Sequence, residues 1–232
     1  ERMAEEIKEL ENRMDRRVSD MIEYYTIWAH QVKTPISSMR LHLQNDDSPL
    51  SQRLTADLFR IEQYVEMAMM FLRLDSESTD YVIREHSLDD IIKNALRKFA
   101  DEFIARKLTL DYRETGASVV TDEKWLSFVI EQVLSNALKY TSSGGITIEM
   151  KEPGILSIRD TGIGIAPEDL PRIFEKGYTG YTGRKDKRAS GIGLYLCKRI
   201  CANLGHSISA VSEPDKGTEI RIDLTQRKFK ME

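Results

Sequence analysis

A histidine lies inside a long helical pattern, in the segment HQVKTP formed by residues 30 to 35. A neutral imidazole has a lone pair and an unperturbed pKa of about 6.5, so an exposed histidine can act as a nucleophile. Taken alone, a histidine on a helix surface is more often inert. Because Pro35 removes a backbone donor, we expect the helix to bend just after Thr34.

Apolar residues upstream of this segment recur at alternating spacings of four and three, which is a heptad pattern. This register places His30 at a c position, facing solvent and away from the partner helix. The seam residues are Met3, Ile7, Leu10, Met14, Met21 and Trp28, with Arg17 and Tyr24 counted as seam positions.

A second group of polar residues occurs in the C-terminal half. Asn136 and Lys139 are three apart in a helical pattern. An amide oxygen suited to Mg²⁺ and an ammonium suited to phosphate therefore share one helix face. Asp160 ends a strand pattern and is followed by Gly162 and Gly164, which permit close backbone approach. Its carboxylate can accept a hydrogen bond from an exocyclic amine such as that of adenine.

A third glycine segment, Gly191 to Leu194, opens a helix whose free N–H groups attract phosphate. Each of these features alone is weak, because an Asn-x-x-Lys pair is usually a solvated face and a G-x-G is usually a turn.

The stretch before Gly191, IFEKGYTGYTGRKDKRAS, is either a surface loop or a lid over phosphates. Its basic cluster consists of Arg184, Lys185, Lys187 and Arg188.

Two helices are expected to form the N-terminal domain. The first runs from Glu1 to about Gln44, and the turn formers QNDDSP separate it from a second helical pattern that begins at Leu50. A single hairpin would expose its apolar seam, so we expect a homodimer that forms a four-helix bundle. The polar segment DSESTD marks a boundary and predicts domains at 1–76 and 77–232.

The second domain alternates strand-like and helix-like segments. Strands are expected at Tyr81–Glu85, in KLTLDY and in SVVTD, and in a hairpin with Pro153-Gly154 at its tip. Helices are expected from Ser87, as N-cap, to about Ile104, from Asp122 to Tyr140 and from Gly193 to Leu204, before two closing strands. This mixture is typical of an α+β fold with a two-layer sandwich.

Composition limits the classes of function. Of the 232 residues, 31% are charged and the net charge is −4, which argues against nonspecific nucleic-acid binding. No apolar run approaches the length that spans a membrane.

The chain begins with Glu1 in mid-heptad, so we expect it to continue a longer helix. Cys197 and Cys201 are expected to be reduced, packed thiols.

Taken in order, the polar and glycine segments of the second domain resemble the ATP-binding domain of the histidine-kinase, gyrase, Hsp90 and MutL superfamily, with its Bergerat-type fold. The resemblance covers roughly Tyr81 to Leu224. It implies that Asn136 holds Mg²⁺ and that Asp160 binds the adenine amine. It also implies further nucleotide-binding positions, namely Lys139, Tyr140, Gly162, Gly164, Gly191, Gly193, Leu194 and Thr218.

With that domain present, HQVKTP resembles the phosphoacceptor box of bacterial sensor histidine kinases. HQVKTPI, FEKGYTG and GLYLCKRIC look closest to the small sensor kinases that work beside peptide-antibiotic ABC transporters. The resemblance implies that His30 is phosphorylated by ATP and passes the phosphoryl group to an aspartate of a response regulator, with Thr34 orienting a water for regulator dephosphorylation. It also implies the cytoplasmic portion of a cell-membrane protein, linked to an ABC transporter through a missing membrane part.

One departure from that family pattern keeps two alternatives open. Most members have an acidic residue after the histidine, and this chain has Gln31. Gln31 can fix the imidazole tautomer but cannot take its proton, so we expect a working but slow kinase or, alternatively, an ATP-binding scaffold. A clamp-type ATPase is the other alternative. Gln132 occupies the position of its water-activating glutamate, and Glu131 lies about 100° around the helix.

Overall fold

The structure, a computed structural model, describes residues 2–46, 48–74, 81–180 and 190–225. The chain divides into two compact units, Glu1–Asp80 and Tyr81–Glu232. The predicted boundary between residues 76 and 77 and the predicted basic cluster of the lid both lie outside the described residues.

The first unit is a helical hairpin of α1 (Arg2–Leu43) and α2 (Pro49–Leu74). The two helices pack through Ala29, Val65 and Met69, which are buried together. At the turn, the Ser51 hydroxyl donates to the Leu43 carbonyl at 3.0 Å. α1 continues through Pro35 as one helix, so the proline does not end the helix that carries His30.

The apolar seam predicted for α1 is exposed in the single chain. Met3 is 76% exposed, Ile7 52% and Trp28 38%. α2 also carries a row of exposed apolar side chains: Leu50, Leu54, Ile61 and Tyr64. The hairpin therefore buries one face of each helix and leaves a second apolar face uncovered, as the heptad pattern indicates.

The second unit is an α+β sandwich. Its strands are β1 (Arg84–Ser87), β2 (Thr109–Tyr112), β3 (Ser118–Thr121), β4 (Gly145–Glu152), β5 (Ile155–Asp160), β6 (Ser207–Glu213) and β7 (Gly217–Asp223). Its helices are α3 (Leu88–Lys98), α4 (Ala100–Arg106), α5 (Glu123–Tyr140) and α6 (Gly193–Asn203), with a short 3₁₀ turn at Leu170–Arg172. None of the described helices is long and apolar enough to cross a bilayer.

The main sheet has five strands in the order β2-β4-β5-β7-β6. β2 pairs with β4 in parallel and the other neighbours are antiparallel, while β1 and β3 form a separate two-stranded sheet. Alternation buries one face of the main strands, including Ile148, Ile158 and Ile222. The two-layer sandwich and the hairpin at Pro153-Gly154 are confirmed.

Two predicted elements have different bounds. The first strand begins at Arg84 rather than Tyr81, because the Val82 N–H is taken by the Asp122 carboxylate at 2.9 Å instead of by a strand partner. The helix capped by Ser87 ends at Lys98, and a second helix begins at Ala100. The turn at Phe99 lets its ring enter the core, where it is 1% exposed.

Candidate functional site

Three polar side chains form a row across the end of the main sheet. Arg159 pairs with Glu219, so Asp160, one residue on, lies beside Thr218, and Thr218 pairs with Ser212. Alternation directs the row to the same face as the buried Ile158 and Ile220. Polar groups therefore occupy the last level of the sheet, immediately beyond the apolar core.

Asp160 is held by backbone donors. Its Oδ1 accepts the Gly162 N–H at 2.8 Å and the Thr218 N–H at 3.2 Å. Burial raises the pKa of this carboxyl, and those two donors act against the rise. Because both donors use Oδ1, Oδ2 can accept from a ligand.

Thr141 follows α5 directly and is fully buried. Its hydroxyl lowers the pKa of the Asp160 carboxyl, yet within the described part of the chain it has no partner at hydrogen-bond geometry. A buried hydroxyl without a partner costs free energy unless a ligand or water satisfies it. This hydroxyl is therefore available to a bound molecule next to Asp160.

The glycine loop after β5 is fixed between two elements. A Cβ at Gly162 would collide with the Tyr140 carbonyl oxygen, which also accepts the Ile163 N–H at 3.2 Å. Gly164 has a φ of 67°, and a Cβ there would collide with the Glu213 carbonyl. Both positions need glycine, and the loop joins the end of α5 to the β6–β7 turn.

The last turns of α5 carry the predicted phosphate and metal groups. Asn136, Lys139 and Tyr140 are all half-buried there. The Lys139 ammonium lies 5.0 Å from the centroid of the Tyr140 ring. Arg106 donates to the Leu138 carbonyl at 2.7 Å and so anchors the end of α5 from α4. Asn136 supplies one oxygen, which fits Mg²⁺ because this ion keeps several waters and binds few protein groups beside phosphates.

The third glycine segment precedes α6. The Gly177 N–H donates to the Gly191 carbonyl at 3.0 Å, and a Cβ at Gly191, where φ is 65°, would collide with the Gly177 backbone. α6 begins at Gly193 with Ile192 as N-cap, which gives no side-chain cap. The first N–H groups of the helix, including that of Leu194, are therefore suited to an anion.

The predicted acceptor residues lie on α1, in the other unit. His30, Gln31 and Thr34 are all exposed. The Thr34 hydroxyl donates to the His30 carbonyl at 3.1 Å and keeps its lone pairs. Neighbouring Lys33 pairs with Glu66 of α2 at 3.6 Å, so the histidine projects beside the face that packs on α2.

The groups that a clamp-type ATPase would need lie elsewhere. Gln132 is buried, and the Glu131 carboxylate accepts from the Lys98 ammonium at 2.6 Å. An acidic group engaged in this way is poorly placed to activate a water.

Sequence reasoning identified Asp160 and Thr218, which the structure places side by side, but it missed Thr141 and Ser212. The burial of Thr141 depends on how α5 packs, and no local pattern marks it. Ser212 could have been found by assuming a short turn between β6 and β7 and pairing the residues of the two strands one by one from that turn. This register places Ser212 opposite Thr218.

This sheet, with its buried carboxylate and glycine loops, is the architecture of a nucleotide-binding ATPase domain, and residues 121–228 match the family described as "Histidine kinase-, DNA gyrase B-, and HSP90-like ATPase". The chain is 32% identical over 226 residues to sensor histidine kinase YxdK of Bacillus subtilis, covering 94% of this chain and 67% of that protein. It is also 32% identical to sensor protein BceS of Bacillus subtilis, covering 82% of this chain and 58% of that protein. The chain belongs to the sensor histidine kinases.

A solved structure shares the fold. ShkA, crystallised full-length in complex with AMPPNP, matches with a TM-score of 0.62 at 20% identity, over 86% of this chain and 45% of that one. The chain spans about two thirds or less of the length of the two Bacillus subtilis relatives.

Proposed function

We propose that this chain binds ATP in its α/β unit, phosphorylates His30 and transfers the phosphoryl group to an aspartate on the receiver domain of a response regulator. The observation that carries the proposal is the buried Asp160 carboxylate, fixed through Oδ1 by two backbone N–H groups beside the unsatisfied Thr141 hydroxyl. The free oxygen of this carboxylate can accept a hydrogen bond from a neutral donor such as the adenine amine.

ATP would lie between this row and the glycine segments. The adenine amine would donate to Asp160 Oδ2, with Thr218 as the second polar group on that side. Lys139 and Tyr140 would contact phosphates or ribose. The backbone at Gly191, Gly193 and Leu194 would receive phosphate oxygens. The AMPPNP complex of ShkA supports a nucleotide in this fold.

Asn136 would be the protein ligand of Mg²⁺. When bound, the ion would neutralise charge on the phosphate oxygens during transfer. The residues of this chain would supply position. The final turn of α5 is held at two carbonyls, that of Leu138 by Arg106 and that of Tyr140 by the Ile163 N–H of the glycine loop.

In the first reaction, one imidazole nitrogen of His30 would form a bond to the γ-phosphorus, and the bond between that phosphorus and its bridging oxygen would break. ADP would leave and the imidazole proton would pass to solvent. Gln31 can hold the ring orientation through its carbonyl but cannot accept the proton, so the reaction is expected to be slow. In the second reaction the phosphoryl group would move from nitrogen to a carboxylate oxygen of the regulator.

The exposed apolar faces of α1 and α2 support a homodimer in which two hairpins form a four-helix bundle. In the whole protein this chain would be the cytoplasmic portion of a cell-membrane sensor. The resemblance to BceS and YxdK supports a further proposal, that the whole protein works with an ABC transporter. The regulator's receiver domain would dock on the hairpin near His30.

The chain would also remove phosphate from its regulator. Thr34 lies one turn after His30, and its hydroxyl can donate to or accept from a water once it leaves the His30 carbonyl. Thr34→Ala should slow regulator dephosphorylation, assayed with ADP present, more than about tenfold while changing His30 phosphorylation less than about threefold. Equal loss of phosphoaspartate with both proteins, faster than for the regulator alone, would exclude this role for Thr34.

Two other functions compete with the kinase. Gln31 favours a scaffold that binds ATP without phosphoryl transfer, whereas the engaged Glu131 and buried Gln132 argue against a clamp ATPase. Incubation with γ-labelled ATP separates all three. A kinase gives acid-labile, alkali-stable label on the protein, a clamp ATPase releases labelled phosphate only, and a scaffold binds ATP without either product.

A further inference from the structure

We propose that Ser212 determines nucleobase specificity by fixing the hydroxyl of Thr218 as a hydrogen-bond acceptor beside Asp160. The pocket then presents adjacent acceptors, which select a 6-amino purine and disfavour a 6-oxo purine. This inference rests on the proposed function, because it concerns how the same pocket chooses its base.

Ser212 connects three parts of the site. Its Oγ accepts the Ile165 N–H of the glycine loop at 2.8 Å and lies 2.8 Å from the Gly217 carbonyl and 2.9 Å from Thr218 Oγ1. Thr218 in turn donates its backbone N–H to Asp160. The serine therefore contacts both the loop that follows Asp160 and the residue beside it.

The directions of these hydrogen bonds follow from the groups involved. A backbone N–H can only donate and a carbonyl can only accept, so Ser212 receives the Ile165 N–H and gives its single proton to Gly217. Its contact with Thr218 is then a hydrogen bond only if Thr218 is the donor. This assignment satisfies all three contacts, and it leaves Thr218 with lone pairs but no proton for a ligand.

The resulting pocket matches one kind of base. Asp160 Oδ2 and Thr218 Oγ1 both accept, so an exocyclic amine with two hydrogens can satisfy them directly or through a water. A 6-oxo purine places a carbonyl oxygen there, and acceptor would face acceptor. The mismatch of a buried polar group reduces binding by about tenfold or more.

Ser212→Ala changes this chemistry without touching Asp160. The Thr218 proton loses its acceptor, so the hydroxyl can rotate and donate to a 6-oxo oxygen. We expect the ratio of ATP affinity to ITP affinity to fall about three- to tenfold, since one hydrogen bond changes sign. The Ile165 N–H also loses its acceptor, and we expect that loss to weaken the binding of ATP and ITP by the same factor.

The experiment measures ATP and ITP dissociation constants for the whole chain in wild type, Ser212→Ala, Thr218→Val and the double variant. If Ser212 acts through Thr218, Ser212→Ala lowers the ratio in the wild-type background and leaves it unchanged in the Thr218→Val background. Ser212→Thr keeps the hydroxyl and should restore the ratio. Ser209→Ala changes an exposed serine of the same strand and serves as the matched control.

An ATP/ITP ratio that stays at the wild-type value in Ser212→Ala, with ATP still bound, would overturn the inference and leave the proposed function standing. A ratio that falls equally in both backgrounds would also overturn it, because Thr218 would then not transmit the effect. If Ser212→Ala does not fold, Ser212→Cys, a weaker acceptor of similar shape, should lower the ratio by a smaller factor; no change would count against the inference. Failure of the wild type to bind either nucleotide would overturn the proposed function and the inference together.

Discussion

The two units of the chain differ in where their apolar side chains lie. In the α/β unit, large side chains such as Leu126, Leu134 and Ile148 are completely buried between helices and sheet. In the helical hairpin the apolar residues of α1 upstream of His30 are mostly exposed, Leu10 and Met14 to 60% and 61%. One unit completes its core within a single chain, whereas the other leaves a face uncovered.

The functional groups follow the same division. Asp160 is buried and held by two backbone donors, so its geometry is fixed before any ligand arrives. His30 and Thr34 are exposed on a helix. The α/β unit therefore carries a buried carboxylate of fixed geometry, while the hairpin carries an exposed histidine on a helix whose apolar face is uncovered.

The largest expected effect is on the self-contained core. Leu134→Ala should lower the free energy of unfolding of the α/β unit by about 2 to 5 kcal/mol, because it removes buried methyl groups and leaves a cavity. Denaturant unfolding measures it. Ile104→Ala, at a residue of the same unit that is 75% exposed, should change stability by less than about 0.5 kcal/mol. Equal effects of the two variants would contradict the description of this core.

Asp160→Asn should weaken ATP binding about 10- to 100-fold, because an amide nitrogen replaces the oxygen that is proposed to accept from the adenine amine. The same change should slightly stabilise the ligand-free chain at neutral pH. The raised pKa of the carboxyl shows that burial penalises its charged form, and that penalty is absent below the folded-state pKa and for a neutral amide.

The raised pKa of Asp160 also predicts that ATP affinity depends on pH. ATP affinity should fall as the pH drops through the raised pKa of Asp160, since the carboxyl then gains a proton, and this loss should be absent in Asp160→Asn. Titration calorimetry at several pH values measures the ATP affinity of the wild type and of Asp160→Asn. Asp111→Asn, at an exposed aspartate of β2, is the control, and an equal loss of ATP affinity in that variant would remove the special role of Asp160.

A smaller effect is expected on the open face of the hairpin. Ile61→Asp places a charge in the exposed apolar row of α2 and should weaken the dimer by at least about tenfold, because a charge would be buried without a partner. Sedimentation equilibrium measures the dissociation constant. Ser37→Asp, at an exposed serine off the heptad seam of α1, is the matched change. A wild-type chain that is monomeric would contradict the homodimer.

Much of this organisation could be predicted from the sequence, because periodicity and glycine positions are local. The hairpin and the sandwich followed from such patterns, whereas Thr218 was placed beside Asp160 only by the family resemblance. The break at Phe99 could not, since α3 and α4 continue one helical period. Thr141 and Ser212 were missed because their roles depend on packing and on register across strands that the local pattern does not state.

We propose that the α/β unit uses ATP to phosphorylate His30 of the hairpin. The most direct measurement is the amount of acid-labile label from γ-labelled ATP on wild type and His30→Gln, with ATP affinity determined on the same samples. We predict that His30→Gln loses the label, by more than about a hundredfold, while ATP affinity changes less than about twofold, because the substitution lies in the other unit. Label at the wild-type level in His30→Gln, or ATP binding with no label in wild type, would contradict the claim.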